Sequence, residues 1–164
     1  MTDTAPRGWR QMIPADLPAI SAISDCVHGV YTEPVEILAE RLALYPQGCL
    51  TLEQDGAITG YVIAHPWLRT APPRLGHPIG AIPARADTYY LHDIALLPAS
   101  RGTGAGRDAT ATVVEQARQA GFREVTLTAI NGADRFWAAQ GFAYAEDTGS
   151  AAYGEGTYLM RRTI

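Results

Sequence analysis

Lysine is absent from the sequence, and all 13 basic residues are Arg. This absence excludes the P-loop, whose Gly-rich turn is followed by a Lys that reaches the outer phosphates of a nucleotide. The formal net charge is −4 and there is no run of basic residues. Such a balance argues against nucleic acid or an acidic membrane as the main partner and is compatible with a cationic amine.

Cysteines and long apolar runs are also scarce. Cys26 and Cys49 lie far apart and have no Cys or His at metal-ligand spacing, so we expect two buried thiols and no metal site. No window approaches the roughly 18 apolar residues of a membrane span, and Met1 to Arg10 has no apolar stretch resembling a signal peptide. These absences predict a cytoplasmic protein with no membrane partner.

The length and composition suit one domain, residues 1–164, with a sizeable core. In the first half, the spacing of apolar residues predicts four elements. They are a strand at Trp9 to Ile13, a helix from Pro14 to about Gly29, a helix at Pro34 to Tyr45, and a hairpin of strands 49–54 and 57–64.

Two segments have an unusual composition. Pro66 to Ala86 is rich in Pro and has little periodicity, which predicts a long loop that packs over a ligand cleft rather than free disorder. Gly149 to Gly156 predicts a Gly-rich hairpin before a last strand at Thr157 to Met160. We expect this end of the chain to close the sheet with a strand pair.

The most informative segment runs from Tyr89 to Gly106, where an apolar strand passes through a Pro turn into a Gly-rich loop. Gly102, Gly104 and Gly106 have no Cβ, so several backbone N–H groups can point at one anion, and the following helix adds its dipole. The dinucleotide fingerprint does not fit, because this loop lies past mid-chain and its glycines are spaced differently. The pattern predicts a cradle for a phosphorylated cofactor.

The spacing Arg101-x-x-Gly104-x-Gly106 resembles the pyrophosphate-binding motif of the GNAT acetyltransferase superfamily, which binds acetyl-CoA. The resemblance continues in register from Tyr89 to Phe142. Its further parts are a helix at Ala105 to Ala120 ended by Gly121, a strand at 124–129, Asn131, a short helix at Ala133 to Gln140, and Gly141-Phe142.

This resemblance implies an α+β fold with a central, mostly antiparallel, splayed sheet of about six or seven strands flanked by helices on both faces. It implies an N-acetyltransferase that uses acetyl-CoA as co-substrate and no metal. The acetyl group would pass by direct attack to a primary amine of a small molecule or peptide. Nucleic acid is not an expected partner, and a homodimer is compatible with the family.

The resemblance also places the cofactor. The backbone of Ile94, Ala95 and Leu96 is expected to pair with the pantetheine arm and to stabilise the thioester oxygen beside a strand bulge. A solvated Arg101 and a turn-forming Asn131 are the alternatives to their cofactor contacts. The remaining cofactor residues are expected around the pyrophosphate and the arm: Arg101, Gly102, Thr103, Gly104, Ala105, Gly106, Asn131 and Trp137.

His92 is the candidate general base, because it lies on the motif strand where similar proteins carry an acidic base and because imidazole titrates near neutral pH. A structural, hydrogen-bonded histidine is the alternative. Asp93 is expected on the other face of the strand, where it would cap or pair locally.

Trp137 stands where the family usually has a Tyr that protonates the departing thiolate. An indole N–H does not supply such a proton, so we expect Trp137 to pack or to form a wall against the cofactor. Tyr144, Tyr153 and Tyr158 are candidate replacements. A thiol with a pKa near 8.5 is a tolerable leaving group without full protonation.

The resemblance implies that the acceptor pocket forms from the linker between the first two helices, about Val27 to Pro34, and from the loop Pro66 to Ala86. Tyr31 and Glu33 in that linker are candidates for recognising a cation, and exposed loop positions are the simpler alternative. A non-catalytic acyl-CoA-binding module or sensor is the alternative function, because Trp137 replaces the usual acid and position 92 is not acidic.

Overall fold

The computed structural model describes residues 8–145 and 156–164. Its strands are β1 Trp9–Gln11, β2 Cys49–Gln54, β3 Ala57–Trp67, β4 Thr88–Leu96, β5 Glu124–Ala129, β6 Ala143–Tyr144 and β7 Tyr158–Thr163. Its helices are α1 Leu17–His28, α2 Val35–Leu44, α3 Ala105–Gln119 and α4 Asp134–Ala139. The predicted elements are present with small shifts at their ends. Residues 149–155 of the predicted Gly-rich hairpin lie outside the described ranges.

The strands form one seven-stranded sheet in the order β1-β2-β3-β4-β5-β7-β6. Only β4 and β5 run parallel, and the other neighbours are antiparallel. Helices α1 and α2 bury their apolar residues against one face, and α3 with Trp137 of α4 packs on the other. The fold class expected from the resemblance is confirmed, including the strand pair β6–β7 that closes the sheet.

Strand β3 extends further than the sequence predicts, through His65 and Pro66 to Trp67. Strand β2 pairs with β3 only as far as Ile63, so the last part of β3 pairs with β4 alone. A Pro is tolerated in a strand where its missing N–H faces no neighbouring strand. The predicted loop therefore begins after Trp67 rather than at Pro66.

A β-bulge interrupts the pairing of β3 with β4. Ile63 pairs with Asp93 and Ala64 pairs with Leu91, so His92 has no partner on β3. The extra residue shifts the alternation of side chains along β4. As a result His92 and Asp93, although adjacent in sequence, both lie on the face covered by α1 and α2.

Strands β4 and β5 separate beyond the bulge. Their pairing covers only Tyr89 to Leu91 on β4, whereas β4 continues to Leu96 and β5 to Ala129. In the described part of the chain, the far half of β4 thus has an open side toward β5. This separation is the splay that the resemblance implies.

The long Pro-rich loop is tied to α2 and to the segment before it by backbone N–H groups. Gly76 N donates to Glu33 Oε2 at 2.7 Å. Ile79 N and Gly80 N donate to the two carboxylate oxygens of Glu40 at 2.7 and 3.0 Å. Two carboxylates therefore anchor the loop, and it packs over a cleft as predicted, with Leu75 in the cleft wall.

The two cysteines differ in burial. Cys49 is fully buried, and burial raises the pKa of its thiol to about 12. Cys26 is exposed, so the expectation of two buried thiols is wrong for Cys26, which lies on the solvent side of α1 away from Ile20 and Ile23. No helix among the described residues is long and apolar enough to cross a membrane.

Candidate active site

A cleft of about 680 Å³ opens where β4 and β5 separate. One end, which we call the Gly-rich end, is formed by the loop 101–107 together with Asn131 and Phe136. The other, the histidine end, is formed by the loop before α2, the end of α1, and β4. Its lining residues are Val27, His28, Tyr31, Glu33, Leu75, His92 and Asp93.

The Gly-rich loop needs glycine for backbone conformation and for space. Gly102 and Gly104 have φ values of 74° and 87°, a region that disfavours residues with a Cβ. Gly106 lies in the first turn of α3, where a Cβ would come within 3.3 Å of the Phe136 ring. The loop thus leaves the N-terminus of a 15-residue helix open to the cleft, which is a favourable place for phosphate oxygens.

The open side of β4 exposes two backbone N–H groups. Leu97 N donates to Thr59 O, next to β3, and Arg101 Nε donates to Leu96 O on the opposite side. Because backbone groups alternate in direction along a strand, the N–H groups of Ile94 and Leu96 face the cleft. The N–H of Ala95 faces β3, so the expected backbone contact of Ala95 with the cofactor arm does not fit this geometry, although Ala95 lines the cleft.

The other predicted cofactor residues lie around the Gly-rich end. Arg101 is exposed and lines the cleft. Thr103 stabilises the loop, since its hydroxyl donates to Ser100 O and accepts from Ala105 N. Asn131 lines the cleft with a φ of 53°, which also fits its turn-forming alternative. Their cofactor contacts stay a prediction.

His92 forms a buried pair with Glu33. Its Nε2 lies 2.6 Å from Glu33 Oε1, and Nδ1 has no hydrogen-bond partner among the described residues. A carboxylate on Nε2 fixes the neutral imidazole in the tautomer with an unprotonated Nδ1. The expected base therefore has an orienting partner, and Glu33, considered as a possible exposed loop residue, is buried.

A second pair lies beside the first. His28 Nε2 is 2.5 Å from Asp93 Oδ1, and Tyr61 Oη donates to Asp93 Oδ2 at 2.6 Å. The expectation that Asp93 points to the opposite face from His92 is wrong, because the bulge shifts the alternation by one residue. Sequence reasoning also missed His28 and Tyr61. His28 lies in a predicted helix and Tyr61 in a predicted strand, and neither position by itself indicates a functional residue.

Burial and pairing oppose each other at both carboxylates. Burial alone would raise the pKa of Glu33, but the charge and hydrogen bond of His92, with the Gly76 N–H, lower it. Burial would likewise raise the pKa of Asp93, but His28, together with His92 and Tyr61, lowers it. The pKa of His28 is raised, since Asp93 overcomes its desolvation. The neighbouring His65 is neutral, because burial lowers its pKa to about 3.

Trp137 is a packing residue at the cleft wall. It is 5% exposed, and its ring makes edge contacts with Phe136 and Phe142 at centroid distances of 4.9 and 5.5 Å. Tyr144 and Tyr158 are exposed, contact each other and are not among the cleft-lining residues. Tyr153 lies outside the described residues. Tyr31 is a tyrosine that does line the cleft.

Comparison with known proteins gives a family and a fold. The sequence model of the acetyltransferase (GNAT) family matches residues 18–142. The structure is similar to the GphF GNAT-like decarboxylase solved with isobutyryl-CoA, with a TM-score of 0.78 at 17% identity over 94% of this chain and 98% of that chain.

Two further solved structures are similar to this chain. The ribosomal-protein-S18-alanine N-acetyltransferase of Escherichia coli has a TM-score of 0.67 at 17% identity, covering 95% of this chain and 92% of that chain. Naa20 of Chaetomium thermophilum, solved with a bisubstrate analogue, has a TM-score of 0.71 at 20% identity, covering 95% and 86%. No curated protein matches the sequence significantly. At these identities, the structural likeness establishes the fold.

Proposed function

The chain belongs to the acetyltransferase (GNAT) family, and from this we propose that it is an N-acetyltransferase that moves the acetyl group of acetyl-CoA to a primary amine by direct attack. Family membership implies acyl transfer in general. The finer assignment depends on one observation above all: a buried histidine–carboxylate pair, His92 with Glu33, stands in the same cleft as the Gly-rich loop.

An alkylammonium ion cannot attack a thioester until it loses a proton. With its Nε2–H held by Glu33, His92 has Nδ1 as the acceptor for that proton, and because Nδ1 is buried, the wall around it has to open for the amine. The amine nitrogen then attacks the thioester carbon and forms a tetrahedral oxyanion. The N–H groups of Ile94 and Leu96 on the open side of β4 are the donors placed to stabilise this oxygen.

Collapse of the intermediate breaks the C–S bond, CoA leaves as the thiolate, and the nitrogen releases its second proton to solvent as the amide forms. Trp137 has no acidic proton to give, so protonation of sulfur follows departure. No covalent enzyme intermediate is formed in this scheme, and no metal is required by it. An imidazole oriented by a buried carboxylate is suited to proton transfer, which an enzyme needs and a binding module or sensor does not, so the pair supports the enzyme.

Gly104→Glu tests the cofactor assignment. A carboxylate side chain at the N-terminus of α3 places bulk and negative charge where the phosphates are expected, so acetyl-CoA affinity measured by calorimetry should fall by at least a hundredfold. Gly56→Glu is the matched control, because Gly56 also has a positive φ, 78°, but lies in the β2–β3 turn. Equal affinities in the two folded variants would remove the cofactor assignment.

Thiol release with a panel of primary amines tests the activity. Because the sequence has no Lys, CoA released without added amine cannot come from acetylation of lysine side chains on the enzyme itself. We expect amine-dependent thiol release and an acetylamide product of the matching mass. Tight acetyl-CoA binding with no amine-dependent release would favour the binding module.

A further inference from the structure

The histidine end of the cleft has an electrostatic preference for a cation. Both carboxylates there, Glu33 and Asp93, are ionised near neutral pH because their pKa values are lowered. His28 carries the compensating charge, and His65, whose ring lies 6.0 Å from that of His92, is neutral. When His92 is neutral, as a base must be before it accepts a proton, this end has a net charge of −1. An ammonium ion is attracted there, and an anion is repelled.

Among the described residues that line this end, the cation is His28, and Asp93 already pairs with it, so no unpaired cation is offered to a carboxylate on the acceptor. The arginines in the described cleft lining are Arg101 and Arg107. Both belong to the Gly-rich end, and Arg101 donates to the Leu96 carbonyl there. A carboxylate buried without a partner loses its hydration, and no ion pair or hydrogen bond offsets that cost. An amino acid acceptor would therefore carry an uncompensated charge into the site.

The remaining wall of the histidine end is largely apolar and is covered. Val27, Tyr31 and Leu75 line it. The loop that carries Leu75 is held down through Gly76 N to Glu33 and through two bonds to Glu40. The whole cleft of about 680 Å³ has to hold the cofactor arm as well as the acceptor, which favours a small acceptor group.

We infer that the acceptor is a small primary amine that carries an apolar or aromatic group and no carboxylate. The charges of Glu33 and Asp93 attract the ammonium toward this end, although their carboxylate oxygens are already hydrogen-bonded within the protein. The apolar group packs on Val27, Tyr31 and Leu75. This inference rests on the proposed function and refines it, because it selects among the amines that a general N-acetyltransferase would accept.

The first experiment compares four amines by initial-rate kinetics: 2-phenylethylamine, phenylalanine, ethylamine and a Phe-Ala-Ala peptide amide. We expect kcat/KM for 2-phenylethylamine to exceed that for phenylalanine by at least a hundredfold and that for ethylamine by at least tenfold. A preference for phenylalanine, or for a Phe-Ala-Ala peptide amide, would overturn the inference and leave the acetyltransferase in place. No amine-dependent thiol release from any compound would overturn the proposed function and this inference with it.

The second experiment changes the charge of the wall. Leu75→Arg places a guanidinium at the histidine end, and it should raise kcat/KM for phenylalanine relative to 2-phenylethylamine by at least tenfold. Ala71→Arg is the matched control, since Ala71 is exposed on the same loop and is not among the cleft-lining residues. An unchanged ratio in a folded Leu75→Arg variant, or an equal change in Ala71→Arg, would contradict the placement of the acceptor.

Discussion

His92 combines two properties that an ordinary strand histidine lacks: a carboxylate on Nε2 and a second ring nitrogen with no partner in the described structure. If Nδ1 takes the proton of the amine, His92→Ala should lower kcat about a hundredfold, the usual contribution of a general base. Acetyl-CoA affinity should change little. The pH profile of kcat should also lose its acidic limb. Steady-state kinetics measures kcat and its pH profile, and calorimetry measures the acetyl-CoA affinity.

His77→Ala is the control for this change, since His77 is exposed on the long loop. Glu33→Gln provides the companion variant: it keeps an oxygen for one hydrogen bond but removes the charge that orients the imidazole, so it should displace the acidic limb rather than abolish it. Normal turnover and an unaltered profile in His92→Ala would return His92 to a structural role.

Trp137 gives a second prediction at this scale. Replacing Trp137 by Tyr restores the family's usual acid but shrinks a ring that packs against Phe136 and Phe142. If CoA departs as the thiolate, kcat should change less than tenfold, or about 1.4 kcal/mol in the barrier. The free energy of unfolding should fall by about 1–3 kcal/mol because a buried aromatic is trimmed.

Trp67→Tyr is the matched control for Trp137→Tyr, because Trp67 lies at the end of β3 outside the cleft lining. A gain of more than tenfold in kcat for Trp137→Tyr alone, at unchanged stability, would show that thiolate departure limits the natural enzyme.

Among the elements, the long loop between β3 and β4 has the most direct bearing on function. Glu40 on α2 accepts two of its backbone N–H groups. Glu40→Gln retains one oxygen for a neighbour such as Arg41 but cannot accept both bonds, so the loop should open more often. Hydrogen exchange of Ile79 and Gly80 should accelerate, and KM for the acceptor should rise severalfold at constant acetyl-CoA affinity.

Glu36→Gln is the control for the loop, since Glu36 is an exposed residue one turn earlier on the same helix. Unchanged exchange in Glu40→Gln would mean that the carboxylate does not hold the loop.

The elements themselves were predictable from periodicity, whereas the bulge was expected from the family resemblance and its position at His92 was not. The residues of β4 read as one apolar strand, so an extra residue at His92 leaves no mark in the pattern. Contacts between distant positions were also beyond sequence reasoning. Glu33 and His92 are 59 residues apart, and nothing in the local sequence around either indicates that burial joins them.

For the molecule as a whole, the His28–Asp93 pair links stability to pH. The pKa of Asp93 is lowered and that of His28 is raised in the folded state. The stabilisation by Asp93 is present above its unfolded pKa, about 3.9, and is lost in acid. The stabilisation by His28 is full below its unfolded pKa, about 6.5, and is lost as pH rises through the higher folded value.

The difference in Tm between the natural chain and His28→Gln should therefore be largest at about pH 4.5 to 6.5 and should shrink toward higher pH. Removal of one partner of a buried pair costs about 3–5 kcal/mol, and with His28 slightly exposed the lower end is expected. His77→Gln is the control for the loss of a histidine. A Tm difference that is constant with pH would show that the pair makes no ionic contribution.

The bulge in β4 changes which residues of the strand face α3, from the odd-numbered to the even-numbered ones. Before it, Tyr89 and Leu91 point into the core beneath α3, and after it Ile94 and Leu96 do so. Deletion of one residue here would turn one of these two apolar pairs away from that core. The deletion would therefore destabilise the fold, whichever half of the strand changed its direction. We therefore expect descendants of this protein to change the chemistry of positions 92 and 93 by substitution, while the length of β4 stays fixed.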